Sequence, residues 1–378
     1  MERLWICGGG TGGHVYPALA VANELDRKSQ IANRESEPQA SSFELLYVGS
    51  VGGMETELVA RAGLNMAEIP AGGIHGLSPL IAIRNGLKLA GGVWAALRLE
   101  RPSAAFVTGG YVSVPAALAC WLRRVPILLY LPDIEPGRAV KFISWLATRI
   151  GVTVEASRRF LPARKVLCVG YPLRAELLEA AAQPKQQALT HFELEGQPKT
   201  LLVFGGSRGA RSLNRAIGAI LEPVLERWQL LHISGTLDAD EVAARRQALP
   251  PALQARYRLY PYLHEDMGLA MRAADLVVSR AGASILGEFP LFGLPAVLVP
   301  YPFAWRYQKT NADYLVEGGA AVRLDDEKLG AELLPTLEQL LGDEARLVSM
   351  QNRLHAMART DAAAALAREL LRLARKAQ

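Results

Sequence analysis

The chain has 378 residues, half of them hydrophobic and 21% charged, which at about 100–200 residues per domain gives two domains with full cores. Its 34 Gly and 22 Pro are bunched into loops, which excludes collagen-like and disordered chains; Cys7, Cys120 and Cys168 show no CxxC spacing, so a reducing compartment is expected, with neither a disulfide framework nor a zinc site. The formal charge of +5 is uneven, with 13 Lys/Arg against 4 Asp/Glu between Arg84 and Lys165, a patch suited to an anionic partner.

In chain order, Leu4–Cys7 reads as a short buried strand running into the turn Gly8–Gly13 and a helical stretch, Val15–Leu25. The glycines arrive before a secretory h-region has room to form, so no leader is expected. Lys28–Ser42 is polar and reads as a flexible excursion. Strands follow at Leu45–Val48, Ala105–Val107, Ile127–Tyr130 and Lys165–Val169, with helices such as Glu55–Ala62 between them. Leu77–Leu99 mixes Leu80, Ile81, Ile83, Leu87, Leu89 and Trp94 with Arg84, Lys88 and Arg98. By that pattern it is an ordinary core helix or, together with Trp121-Leu122-Arg123-Arg124 and the local charge, a patch that lies on a membrane surface. Few aromatics interleave with the cations, which speaks against nucleic acid.

Near residue 200 the pattern restarts. Thr200–Phe204 ends in Gly205-Gly206-Ser207-Arg208-Gly209 and enters a helix, Ala210–Glu222; strands at Leu230–Ile233, Leu276–Val278 and Ala296–Val299 follow. Buried strands alternating with helices give parallel sheets covered on both faces. The restart therefore predicts an α/β protein of two Rossmann-like doubly wound domains, joined near Gly170–Leu173 and facing a cleft. The charge-free stretch Phe289–Trp305 carries Pro290, Pro295, Pro300 and Pro302 and cannot be one lipid-spanning helix, so a soluble or peripheral protein is expected. The tail from Thr360 to Lys376 is helical in spacing, with Asp361 near its start and Arg372, Arg375 and Lys376 near its end, as the helix dipole favours.

The glycine turns carry the chemistry. Gly8–Gly13 lets a ligand approach the backbone and offers helix N–H groups to an anion, but it matches neither GxxxxGK[ST] nor GxGxxG with its acidic residue, so ATP and NAD are not expected. His14 is either a titratable group at the mouth of this turn or a helix-start histidine bonded to backbone. Gly109-Gly110-Tyr111-Val112-Ser113 is a further glycine turn of the same domain, and Gly205–Gly209 can hold another phosphate with Ser207 and Arg208 as donors. In the stretch from Asp275 to Asn311, Ser279-Arg280-Ala281-Gly282-Ala283 precedes Glu288, an acid placed to accept ribose hydroxyls, while Gln308 and Asn311 carry amides suited to sugar hydroxyls. Asp238-Ala239-Asp240 reads as helix capping rather than a metal triplet, and no other cluster has ligand spacing.

These segments resemble the MurG family, the bacterial UDP-N-acetylglucosamine transferases that convert lipid I to lipid II in peptidoglycan synthesis. The residues concerned are Gly9–Gly13 with His14-Val15-Tyr16-Pro17, Gly109–Ser113, Gly205–Ala210, Ser279–Ala283 with Glu288 and Gly293-Leu294-Pro295, and Gln308 with Asn311-Ala312. They occur in order over nearly the whole chain. The resemblance implies a GT-B fold, with residues 1–171 binding acceptor and membrane, 172–355 binding UDP-GlcNAc, and a helix from about 356 to 378 packing back on the first domain. Carried over by position, Arg174 and Ser207 bind the donor diphosphate, Glu288 the ribose and Gln308 the GlcNAc hydroxyls, with Gly206 and Leu263 also on the donor side. Thr11, Gly12, Gly13, Gly110 and Tyr111 belong to the acceptor side.

The implied reaction is inverting: the C4 hydroxyl of MurNAc in undecaprenyl-pyrophosphoryl-MurNAc-pentapeptide attacks the anomeric carbon as UDP leaves. His14 is the expected base, with Asp133 orienting it or sharing the role, and no metal or other cofactor is required. The implied setting is peripheral, on the anionic cytoplasmic face of the bacterial plasma membrane, in cell-wall biogenesis, cell shape and cell division. Three segments depart from the family's usual pattern: Tyr130-Leu131-Pro132-Asp133 replaces His-Glu-Gln-Asn, Tyr307 replaces Gln or His, and Arg208 replaces Gln. The first keeps open a related glycolipid or natural-product glycosyltransferase; a nucleotide-sugar-binding module without catalysis is the remaining alternative.

Overall fold

The computed structural model describes residues 2–34, 43–53, 55–72, 79–206, 209–302 and 305–376. Their strands form two sheets, all of whose pairings are parallel. The first contains β1 (Glu2–Gly8), β2 (Phe43–Ser50), β3 (Asn65–Ile69), β4 (Ala104–Gly109), β5 (Ile127–Leu131), β6 (Arg149–Val152) and β7 (Val166–Cys168), in the order β3-β2-β1-β4-β5-β6-β7. The second contains β8 (Thr200–Phe204), β9 (Gln229–Ile233), β10 (Tyr257–Tyr260), β11 (Leu276–Ser279), β12 (Ala296–Leu298) and β13 (Ala321–Arg323), in the order β10-β9-β8-β11-β12-β13. Both orders are doubly wound, and each reverses direction at one place: between β1 and β4, and between β8 and β11. Ligands of open α/β sheets collect outside the carboxyl ends of the strands at such points. The glycine turns stand there. Gly8 pairs with Gly109 across a register shift, so the turns after β1 and β4 leave the sheet side by side.

The chain divides into two compact units, Met1–Arg174 with Thr360–Gln378, and Ala175–Arg359. The first unit's sheet is buried on both faces, as strand alternation requires. Trp5 and Cys7 pack with Ala116, Ala117 and Ile143 on one side, while Leu4 and Ile6 pack with Val15, Ala18 and Leu25 on the other. That second face is completed by the last helix, Ala362–Lys376, through Leu366, Leu370 and Leu373. Each such leucine contributes about 1.5–3 kcal/mol when fully buried. The helix approaches β6 closely: a Cβ on Gly151 would lie 2.6 Å from Leu366 Cδ2.

Three expectations about helices need correction. The helix after the first glycine turn runs over Gly12–Arg34, so Lys28–Arg34 is helical rather than a loop; that segment contains no Gly or Pro, and Glu24 pairs with Arg27 and Lys28. Residues 35–42 of that expected excursion lie outside the described residues. The stretch Ala210–Glu222 is two helices, Arg211–Ala219 and Leu221–Arg227. Pro223 is the cause, because its ring has no N–H for the carbonyl of Ala219 and clashes with it. Residues 356 and 357 end the helix Glu344–Met357, so the final helix begins at Ala362 rather than near 356.

Candidate active site

In the first unit, the turns after β1 and β4 are packed directly on one another. A Cβ on Gly110, whose φ is +83°, would lie 2.3 Å from Gly9 O, so only glycine allows this approach. Thr108 Oγ1 donates to His14 O at 2.7 Å, and Ser113 Oγ to Gly109 O at 2.6 Å, fixing the turns to the strand ends. The His14 ring lies against the Gly109 backbone. Its Nδ1 is covered and has no hydrogen-bond partner of sound geometry. Burial pushes the imidazole pKa below its ordinary value, and the nearby Asp133 carboxylate and the Thr108 backbone oppose that fall. Asp133 follows the end of β5, so the sheet brings its charge to the histidine. Thr11 and Tyr111 are exposed beside the turns, and Gly12 and Gly13 open the helix Gly12–Arg34.

Tyr130 sits elsewhere. It is fully buried in β5, and its hydroxyl bonds to Thr153 Oγ1 at 2.7 Å and donates to Gly170 O at 3.1 Å, which makes it scaffold. Arg174 ends the first unit, its guanidinium 4.6 Å from the Tyr16 ring in the helix after the first glycine turn.

In the second unit, the turn after β8 is held as closely. A Cβ on Gly209 (φ +80°) would lie 2.3 Å from Ser234 O. Gly206 also has positive φ, and Gly209 N–H closes the turn on Gly206 O at 2.9 Å. Ser207 and Arg208 lie outside the described residues. A cavity of about 630 Å³ opens here, lined by Gly205, Gly209, Arg211, Arg280, Tyr301 and Gln308 among others. Gln308 thus reaches the expected place; its Oε1 accepts from Tyr301 N–H at 2.9 Å. Glu288, in the helix Ile285–Phe292, and Leu263, half-buried after β10, are not among its lining residues.

Several lining residues carry roles not read from the sequence. Arg280, after β11, is nearly covered; its guanidinium meets Asp326 Oδ1 at 2.5 Å and donates to Ser212 Oγ at 2.7 Å, and it accounts for the SRAGA segment. Asp238 is a correction. It precedes the helix Ala239–Gln247 but makes no capping bond; its carboxylate turns the other way and accepts from Arg211 Nε at 2.9 Å and Asn214 Nδ2 at 3.0 Å. Asn214 also donates to Ser234 O at 2.8 Å, so its oxygen must accept from His232 Nε2 at 3.0 Å, while Nδ1 takes the Tyr257 hydroxyl at 2.8 Å. Burial holds His232 neutral, with its pKa lowered to about 4. Among the described residues, no group of three or more His, Cys, Asp or Glu is placed to hold a metal ion.

Two doubly wound parallel domains, each with a glycine turn at its switch point, have the architecture of the GT-B class. Residues 4–152 match the model of the glycosyltransferase family 28 N-terminal domain, and residues 200–366 that of its C-terminal domain. The chain is 41% identical to the UDP-N-acetylglucosamine–N-acetylmuramyl-(pentapeptide) pyrophosphoryl-undecaprenol N-acetylglucosamine transferase of Roseiflexus sp. (strain RS-1), covering 97% of this chain and 93% of the relative. The enzyme of the same name from Desulforudis audaxviator is 39% identical, over 92% of each chain. Among solved structures, the MurG of Acinetobacter baumannii is similar with a TM-score of 0.75 at 25% identity, covering 98% of this chain and all of that one. The chain belongs to the MurG family.

Proposed function

We propose that this protein transfers GlcNAc from UDP-GlcNAc to the C4 hydroxyl of MurNAc in undecaprenyl-pyrophosphoryl-MurNAc-pentapeptide. The observation that carries the reading is His14, kept neutral by burial at the junction of two glycine turns, in a chain 41% identical to a transferase of that name. A general base must be unprotonated before it acts, and a lowered pKa provides that near neutrality. With Nδ1 covered, Nε2 takes the proton of the C4 hydroxyl, and the Asp133 carboxylate stabilises the imidazolium that forms. The oxygen attacks the anomeric carbon, the bond from that carbon to the UDP oxygen breaks, and the configuration inverts. Acceptor pyrophosphate is held by the turns around Thr11, Gly12, Gly13, Gly110 and Tyr111.

The donor lies on the second unit. Gln308, Gly205 and Gly209 line its cavity, and Arg280 and Arg211 supply positive potential for the departing diphosphate. By the family resemblance, Ser207, Arg174, Glu288 and Leu263 are the further donor contacts. The reading requires no metal or other cofactor.

A peripheral seat on an anionic leaflet is supported by side chains of the first unit. Trp145 is 75% exposed and Leu87 70%, with Trp94, Trp121, Leu122 and Phe142 also exposed, in the stretch that carries the basic excess. The side chains of Leu80, Ile81, Ile83 and Arg84 lie outside the described residues. Among the described residues no helix is long and apolar enough to cross a membrane.

The test is UDP release from labelled UDP-GlcNAc with a lipid I analogue or with diacylglycerol as acceptor. Release with lipid I alone, reduced by about 10²–10⁴-fold in His14→Ala while UDP still binds, is the expected result. Near-normal turnover in both His14→Ala and Asp133→Asn overturns the assignment of the base.

A further inference from the structure

A buried acid stands behind the first glycine turn. Glu55 opens the short helix Glu55–Arg61 and is 0% exposed, although nothing about an acid in the first turn of a helix requires burial. Its Oε1 accepts from Ser50 N–H at 2.8 Å and Ser50 Oγ at 2.6 Å, at the end of β2. Its Oε2 faces Gly10 N–H at 3.3 Å, inside the turn. The fit is close: a Cβ on Gly9 would lie 2.6 Å from Oε1, and one on Gly53 would lie 2.3 Å from it. Gly9 is therefore held between this carboxylate and Gly110, whose own Cβ would strike Gly9 O, and Gly109 in turn seats the His14 ring. One side chain thus supports a stack of backbone that ends at the base and at Tyr111.

A buried carboxylate beside a turn expected to bind an anion is a liability unless its position is used. It repels a nearby pyrophosphate and occupies one N–H the turn would otherwise offer. We infer that Glu55 is a positioning residue: by engaging Gly10 N–H it sets the height of the first turn against the second, leaving the N–H groups of Thr11 to Gly13 for the acceptor pyrophosphate. The inference rests on the acceptor assignment proposed above. Glu55 touches no substrate and acts through Gly9 and Gly10.

Glu55→Gln keeps the shape but presents an amide that can accept on one oxygen only, so Gly10 N–H or Ser50 loses its partner. The expected result is a KM for the lipid-linked acceptor raised about tenfold, the loss of one hydrogen bond to a charged group, with the KM for UDP-GlcNAc unchanged. Ser50→Ala, which removes the hydroxyl bond to Oε1 but leaves the Ser50 and Gly10 N–H groups engaged, should raise the acceptor KM less. Hydrogen exchange supplies a readout independent of turnover: segments 8–14 and 109–113 should exchange faster together in Glu55→Gln, with 205–211 unchanged. A variant that melts earlier but keeps both KM values, or one in which both rise equally, overturns the inference, as does faster exchange in segment 8–14 alone. Should the wild-type protein transfer nothing to that acceptor, the functional reading is at fault, and the joint exchange of the two segments alone supports or overturns the positioning role of Glu55.

Discussion

Replacing His232 with Phe should flatten the acid limb of the second unit's stability curve. His232 is buried among Tyr257, Asn214 and the strands β8–β10, neutral, with a pKa lowered from 6.5 to about 4 by burial. In the unfolded chain it returns to about 6.5, so below that pH the unfolded state binds a proton that the folded state refuses. Its contribution is complete above pH 6.5 and is lost as the pH falls toward 4. Between pH 7.5 and pH 5, these two values give a loss of about 2 kcal/mol from this one group. His232→Phe is less stable at pH 7.5, because Asn214 Oδ1 and the Tyr257 hydroxyl lose partners at about 1–3 kcal/mol each, but it sheds the proton-linked part. Urea unfolding followed by hydrogen exchange on peptides covering β8 and β11 reads this unit separately from the other. The variant should lose about 2 kcal/mol less than wild type between pH 7.5 and pH 5. Equal losses in the two proteins would refute the buried neutral histidine as the source.

Leu370→Ala, in the last helix, should destabilise the first unit by about 2–5 kcal/mol, read by urea unfolding on peptides of β1 and β4, with the second unit's peptides unaffected. Tyr130→Phe should cost about 1–3 kcal/mol through its lost bonds to Thr153 and Gly170 while leaving kcat unchanged; a large fall in kcat would contradict its role as scaffold.

The central strands were legible because burial on both faces writes them as unbroken apolar runs, as in Leu4–Cys7 and Leu201–Val203. The strands not read, β3, β6, β10 and β13, stand at or near sheet edges. There one face meets solvent or the strand is only three or four residues long, so Asn65-Met66-Ala67-Glu68-Ile69 and Tyr257-Arg258-Leu259-Tyr260 carry no continuous apolar signal. The glycine turns announced the candidate site, since at Gly9, Gly110 and Gly209 neighbouring atoms leave no room for a Cβ. Glu55 and Asp238 did not. An acid at a helix start has one sequence signature whether it faces water, caps the helix or turns inward onto a distant loop. The partners that decide, Gly10 for Glu55 and Arg211 for Asp238, are 45 and 27 positions away.

The second unit is one continuous segment, whereas the first is closed by the chain's final residues. During synthesis, then, Ala175–Arg359 can complete its core while the apolar side of helix Gly12–Arg34 still waits for Leu366, Leu370 and Leu373. The half made first is the half finished last, and loss of the last helix would strip the first unit of one wall of its core while leaving the second unit whole.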